Sequence, residues 1–379
     1  MQIAVALFYL CASAPYAFAQ HKGTPYGFAK GVTGGGSATP AYPKDIAQLK
    51  SWLADDMARV TMIDKTFDFI GSEGTVTENR CRMKDTCTAA NGGQDTIKQG
   101  GCDDNETSIQ VKYDKASYVG MPVGSNKSLI GVGSKGVLHG KGLRFNTAAK
   151  NVIIQNIHID NLNPQYVWGG DGISLYGNDG VWIDHCKISR TGRQHFVSHY
   201  EGSRVTISNT EFDGRTSYSH SCNGDHYWTF IFGGKADKIT LDRNYWHDLS
   251  GRSPKIGSSE GTQIIQAVNN WFSSNTGHNF DISSSGRVLI EGNRWENTET
   301  PITTGSSAAK IWSVPDSSCT SRLGRNCELN ALTASGDFPS RKDSAVLDEL
   351  AKYKTNPVTP IAYGNVKGTV SGNYGIGRI

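Results

Sequence analysis

Four short segments concentrate the residue types that could do chemistry in this chain. They are Trp168-Gly-Gly-Asp171, Arg190-Thr-Gly-Arg193-Gln-His195, Cys222-Asn-Gly-Asp-His-Tyr-Trp228 and Leu249-Ser-Gly-Arg252-Ser-Pro-Lys255. If Arg193, Arg252 and Lys255 converge on one groove, they would bind a substrate bearing carboxyl or ester groups, because a guanidinium fork matches a planar carboxyl. Trp168, Tyr227 and Trp228 sit near glycine turns and suit stacking on sugar rings. Taken singly, each residue is ordinary. A lone arginine is usually a surface residue, Asp171 after two glycines could close a turn, and any one ring could fill a core. His185, His195 and His226 are scattered and read as structural, hydrogen-bonding residues rather than metal ligands. Asp55-Asp56 and Asp103-Asp104 lie away from these segments and read as solvated. No Asp-Asp pair occurs between residues 105 and 379, which argues against hydrolysis by clustered carboxylates.

The elements that must position these residues form a repeat. Short β-branched runs begin at Asn151, Gly180, Arg204, Lys238, Gln263 and Arg287, each followed by a polar turn that usually carries Asn. Counted from Val152, Val181, Val205, Ile239, Ile264 and Val288, the intervals are 29, 24, 34, 25 and 24 residues. A period near 24 signals a solenoid. The apolar spacing alternates by two, which excludes helical repeats. Leucine is too scarce for leucine-rich repeats, and a propeller needs four strands per repeat. An all-β parallel β-helix remains. Asn156, Asn209, Asn244, Asn270 and Asn293 would stack in one of its turns, since Asn tolerates the left-handed region and its amides can ladder. The two long intervals carry the first and third chemical segments, as expected of a solenoid that binds through inserted loops. Open ends need caps. Residues 43–57, with Ile46, Leu49, Leu53 and Met57 at helical spacing, predict an N-terminal capping helix. Residues 343–354 predict a short C-terminal helix, and the Gly-rich tail 364–379 is expected to be loose.

Composition bounds the reading. The chain has 379 residues, 19% charged, with 44 glycines and a net charge of +3. Its glycines sit among aromatic and β-branched residues, so disorder and collagen are excluded. Such a small charge gives no basic field for nucleic acid. Residues 3–19 are uncharged and end in Ala17-Phe18-Ala19, so 1–19 is expected to be a secretory signal peptide and 20–379 a single domain. No second apolar run is long enough to span a membrane, so a secreted, extracellular protein is expected. Outside that leader the cysteines are Cys81, Cys87, Cys102, Cys186, Cys222, Cys319 and Cys327. Cys186 lies in an alternating strand and reads as buried and free, leaving six for three bridges. The absence of a CxxC pair argues against a zinc site. Asn105 and Asn126 head glycosylation sequons. A large core is feasible at this length without metals or oligomerisation, and a monomer is expected.

At these residues the sequence resembles the pectin lyases, fungal-type members of polysaccharide lyase family one in the pectate/pectin lyase superfamily. The matching segments are GFAKGVTGGG from Gly27, SNKSLIGVGSKGVLHGKGLR from Ser125, KNVIIQNIHI from Lys150, YVWGGDGI from Tyr166, VWIDH from Val181, RTGRQH from Arg190, CNGDHYW from Cys222 and LSGRSPK from Leu249. VWIDH is common to the superfamily, whereas RTGRQH is more specific to the pectin lyases. The resemblance implies a single-stranded right-handed parallel β-helix whose long loops form a substrate cleft. It implies that Arg252 is the catalytic arginine, with Asp171 and Arg193 as companions, Lys255 as a substrate contact, and Trp168, Tyr227 and Trp228 in the pectin-binding groove. It also implies the bridges Cys81–Cys102, Cys87–Cys222 and Cys319–Cys327. One departure concerns residues 79–106. The family's corresponding loop supplies tryptophans to the cleft, but here the segment contains no aromatic residue, so one wall should be more polar.

The reaction implied is endo-type β-elimination of methyl-esterified polygalacturonan. A base removes the C5 proton, the C4–O bond breaks, and 4,5-unsaturated oligogalacturonides result. The developing enolate needs electrostatic stabilisation, and a neutral methyl ester forms it more easily than a carboxylate. Arg193 stands where superfamily members would carry a calcium-binding acid, so no metal and no cofactor is expected. Arg252 would act as the base, its charge opposed by Arg193 and Lys255, or would only stabilise the enolate. The competing readings are a calcium-dependent pectate lyase, a β-helical polygalacturonase and a non-catalytic pectin-binding β-helix.

Overall fold

The computed structural model describes residues 21–379. The leader expected over 1–19 falls outside them. Three long parallel sheets of ten, eight and nine strands run the length of the molecule. One coil shows how they are built. The chain passes through Lys150–Gln155 in the ten-stranded sheet, His158–Leu162 in the nine-stranded sheet and Ile173–Leu175 in the eight-stranded sheet, then returns at Asp179–Asp184 beside its starting strand. Each strand pairs in parallel with its counterpart one coil on. The architecture is a right-handed parallel β-helix.

Alternation dictates what lies inside. Val152, Ile154, Val181, Ile183, Val205 and Ile207 are fully buried in one continuous core. Aromatic rings fill the wider part of the same core. Phe212 lies 4.5 Å from Trp246, and Phe272 and Trp295 stack at 5.0 Å. The spacing follows from strands about 4.8 Å apart, which bring successive inward residues into contact.

The register differs from the sequence count in one place. Ile239 pairs with Ile265, not Ile264, and Ile265 pairs with Val288. All six residues of Gln263–Val268 are buried, so alternation gives no clue there. Ile265 joins the inner core. Ile264 faces outward, against a second cluster that includes Phe28, Leu289 and Leu347. The asparagines also divide into two positions. Asn244, Asn270 and Asn293, all buried, form a ladder that ends on half-buried Asn330, with amide-to-carbonyl distances of 3.0, 2.9 and 3.2 Å. Asn156 and Asn209 instead occupy a left-handed turn position, with φ of 60° and 47°. Thr210, one residue after Asn209, occupies the ladder position, its backbone N–H donating to Asn244. Cys186 holds the same position a coil earlier, donating its backbone N–H to Thr210 Oγ1. It is a buried free thiol, pushed up to about 12 by desolvation.

The ends are covered. Helix Ile46–Ala54 is capped by Asp45, whose side chain accepts from the Gln48 N–H at 2.8 Å. Its Leu49 and Leu53 close the core beside the edge strand Met121–Val123. Met57 lies beyond the helix and is exposed, so the helix is shorter than its apolar spacing suggested. Helix Ser344–Ala351 lays Val346, Leu347 and Leu350 on the outside of the ten-stranded sheet. The tail is not loose. Val366 and Val370, four residues apart on helix Val366–Val370, cover Trp271, and the Gly377 N–H donates to Asn156 Oδ1.

One element had no signal in the repeat. Thr75–Arg82 and Thr107–Asp114 form an antiparallel pair, part of a small fourth sheet that is pinned by the Cys81–Cys102 bridge. Asp55 is not merely solvated, because it binds Lys127 at 2.7 Å and pairs with Arg59.

Candidate active site

The four chemical segments occupy equivalent places in successive coils. Each lies between a strand of the nine-stranded sheet and the next strand of the eight-stranded sheet. Asp171 precedes Ile173–Leu175, Arg193 precedes Phe196–Ser198, Trp228 precedes Phe230–Phe232 and Arg252 precedes Lys255–Ile256. Parallel stacking therefore lines them along one edge of one sheet, and the groove follows the stack.

Glycines allow the close approach. A Cβ on Gly192 would come within 2.5 Å of the Tyr166 carbonyl oxygen and 2.7 Å of Gly169. Only a bare backbone lets the loop of Arg193 press against the loop of Trp168. A Cβ on Gly251 would meet the Tyr227 ring at 2.5 Å. Arg252 itself has φ of 46°, a left-handed conformation that turns the chain sharply. It is held by its N–H donating to His278 Nε2 at 3.0 Å and its carbonyl accepting from the Phe230 N–H at 2.7 Å.

The aromatic residues do more than the sequence suggested. Arg193 lies over Trp168, its Cζ 3.4 Å from the ring centroid. Arg252 lies 4.8 Å from the Trp228 ring and 5.7 Å from that of Tyr227. These rings hold guanidinium groups by cation–π attraction, and one face of Trp168 is thereby taken. Trp228 is fixed in turn by its indole N–H donating to Gln94 Oε1 at 3.1 Å.

The cations are only partly compensated. Burial, opposed by Asp171 and reinforced by Arg252, lowers the affinity of Arg193 for its proton. Burial likewise raises Asp171 above the usual carboxylate range, against the pull of Arg193 and of a 2.9 Å hydrogen bond from the Gln194 N–H. Lys255 is paired with Asp281 at 3.2 Å. His220, against Tyr227 and Trp228, is lowered to about 4 by burial and by the charges of Lys84 and Arg252. His195 and His226 stack at 4.7 Å beneath the cleft. His226 Nε2 holds the Arg193 carbonyl at 2.6 Å, whereas neither ring nitrogen of His195 has a partner among the described residues.

The aromatic-free segment 79–106 forms part of the cleft wall. Cys87 is bridged to Cys222, Lys84 donates to the His220 carbonyl at 3.2 Å, and Gln94 holds Trp228. The third bridge, Cys319–Cys327, lies far along the chain. Asn105 is exposed. Asn126 is half-buried and accepts from Asn151 at 2.8 Å.

Sequence reading missed His278, His220, Gln94, Arg144 and Tyr176. The 26-residue step from Arg252 to His278 matches one coil and could have pointed to it. Arg144 and Tyr176 line a pocket of about 390 Å³ with Trp168 and Asp171, and nothing in their local sequence marks them. Two groups of three possible metal ligands occur among the described residues, neither within the four chemical segments. Cys81, Cys102 and Glu106 include a disulfide. In the group of Glu211, Asp213 and His247, the two carboxylates already hold Lys187, each at 2.9 Å.

Comparison with known proteins agrees with this fold. The sequence pattern of the family described as Pectate lyase matches residues 81–378. "Probable pectin lyase F-2" of Aspergillus terreus is 48% identical over 362 residues, covering 94% of this chain and 74% of that protein. "Probable pectin lyase F" of Neosartorya fischeri is 48% identical over 375 residues, covering 96% of this chain and 97% of the relative. Among solved structures, a pectate lyase studied for its anti β-elimination mechanism superposes with a TM-score of 0.58 at 16% identity, covering 94% of this chain and 98% of that one. Pectate lyase II of Xanthomonas campestris gives 0.56 at 16% identity, covering 93% and 98%. The chain belongs to the pectate lyase family and groups there with the pectin lyases.

Proposed function

We propose that this protein is a secreted pectin lyase that cleaves methyl-esterified homogalacturonan internally by β-elimination, without calcium, and works as a monomer. One observation carries the reading: Arg193 and Arg252, each backed by an aromatic ring, lie along one sheet edge with Asp171 beside Arg193. Two only partly compensated cations suit an ester carbonyl that gains negative charge as C5 loses its proton. A galacturonate methyl ester enters neutral and leaves the guanidinium charge free for the enolate.

In this reading Arg252 serves the C5 proton transfer, as proton acceptor or as the cation that holds the enolate. Arg193 binds the ester carbonyl, and Asp171 orients Arg193. Lys255 contacts the flanking sugar, and Tyr227, Trp228 and the free face of Trp168 border the polymer. Calcium is unnecessary because Arg193 supplies positive charge beside Asp171. Secretion accords with the three disulfides and with the absence of any helix long and apolar enough to cross a membrane among the described residues.

Incubating the protein with highly methylated pectin and following the ultraviolet absorbance of the new double bond tests this proposal. Rising absorbance with falling viscosity is expected. Binding without absorbance would instead favour the non-catalytic reading.

A further inference from the structure

Arg144 stands apart from most arginines of this molecule. Arg59, Arg204, Arg215 and Arg341 each hold a carboxylate. Arg144 is exposed and has no carboxylate within ion-pair distance among the described residues. Its guanidinium lies over the ring of Tyr176, 4.9 Å from its Cζ. Tyr176 is stacked in turn on Tyr200 at 5.7 Å and lies 5.7 Å from His199. Tyr200 is 68% exposed, so the group offers an open aromatic shelf beside an unpaired guanidinium.

Its place in the fold gives that pair a use. Arg144 pairs with Ser174, and Val197, Ile231 and Lys255 follow in register along the eight-stranded sheet. Arg144 therefore lies four strands from Lys255, roughly 19 Å along the groove, which is several sugar units from Arg252. It lines the same pocket as Asp171 and Trp168, so one polymer chain could occupy both places. An ester offers a guanidinium one neutral carbonyl acceptor. A free carboxylate offers two charged oxygens that match its fork.

We propose that Arg144 and Tyr176 form a distal subsite for an unesterified galacturonate unit, so that the enzyme favours polymer carrying a free carboxylate several units from the methylated unit it cleaves. This inference rests on the lyase reading for its substrate but not for its chemistry. Charge-assisted recognition by Arg144 operates whether or not the chain is cut.

The test compares wild type, R144Q and R144K on fully methylated and partly de-esterified pectin of equal length, with thermal melts to confirm folding. The ratio of kcat/KM for the partly de-esterified polymer to that for the methylated one is expected to fall about tenfold in R144Q, with R144K in between. In parallel, calorimetry measures binding of trigalacturonate and its trimethyl ester, and the affinity ratio of the two is expected to shift in the same sense. An unchanged affinity ratio in folded R144Q would overturn the subsite. If wild type generates no double bond on either polymer, the lyase reading fails alone, and the calorimetric ratio still decides the role of Arg144.

Discussion

The guanidinium of Arg193 lies 3.4 Å from the ring centroid of Trp168. Close packing of Gly169 and Gly192 brings the two loops into contact. The ring shields one face of the cation from water while Asp171 draws on its charge, which leaves the other face for the substrate oxygen of the proposed reaction. Trp168→Ala removes a contact worth ~1–2 kcal/mol. The expected result is about a tenfold fall in kcat/KM on methylated pectin, with Trp168→Phe in between. Wild-type kinetics for the alanine variant would show that the ring does not support Arg193.

Arg252 is held at both ends of its backbone, by His278 and by Phe230. Arg252→Lys keeps a charge but loses the planar fork. Turnover should fall about 100-fold or more, as when a donor to a developing oxyanion is lost, while the dissociation constant for pectin stays within a few-fold. Near-normal turnover would remove Arg252 from the chemistry altogether.

Gly251 tests how tightly the ring behind Arg252 must pack. A methyl group there would sit 2.5 Å from the Tyr227 ring, so Gly251→Ala displaces Tyr227, Arg252 or both. A drop in kcat/KM of about tenfold or more is expected, since small misplacements are expensive in a positioned site. The melting temperature should change by only a few degrees. Unaltered kinetics would mean that this contact is not needed to position Arg252.

Much of this arrangement was legible beforehand, and the exceptions have physical causes. The two-residue alternation of apolar and polar types is clear in Val205–Ile207 and Ile239–Leu241, whose outward residues are Thr206 and Thr240, and it made Val181 or Ile207 readable as core. It failed at Gln263–Val268, where the C-terminal helix covers the outer face and Ile264 is as apolar as Ile265. The arginines were visible through their glycines. The role of the rings was not, because a tryptophan that stacks on sugar and one that holds a guanidinium have the same local sequence. His278 and Gln94 act across coils or from a distant loop, and no short-range spacing encodes that. The tail looked loose by its glycines, yet Val366 and Val370 at helical spacing carry enough apolar surface to dock on Trp271.

Buried histidines set the acid limit of stability. Burial holds His226 at about 4 in the folded protein, against 6.5 for an exposed imidazole. As pH falls below 6.5 the unfolded chain takes up the proton first. The stabilisation is thus complete above 6.5 and is lost as pH falls towards 4, by about 3 kcal/mol for this one residue. His195, stacked on it, is lowered for the same reason. Urea unfolding should show stability falling between these pH values. His226→Asn should flatten that slope, and equal slopes in the two proteins would contradict the assignment.

The central claim is that two arginines act on an uncharged ester where other readings need calcium. The most direct measurement follows double-bond absorbance on highly methylated pectin and on unesterified polygalacturonate, each with excess chelator and with added calcium. This account predicts cleavage of the methylated polymer at a rate that chelator leaves unchanged, and little cleavage of the unesterified one. Loss of activity in chelator, with preference for polygalacturonate when calcium is restored, would contradict it.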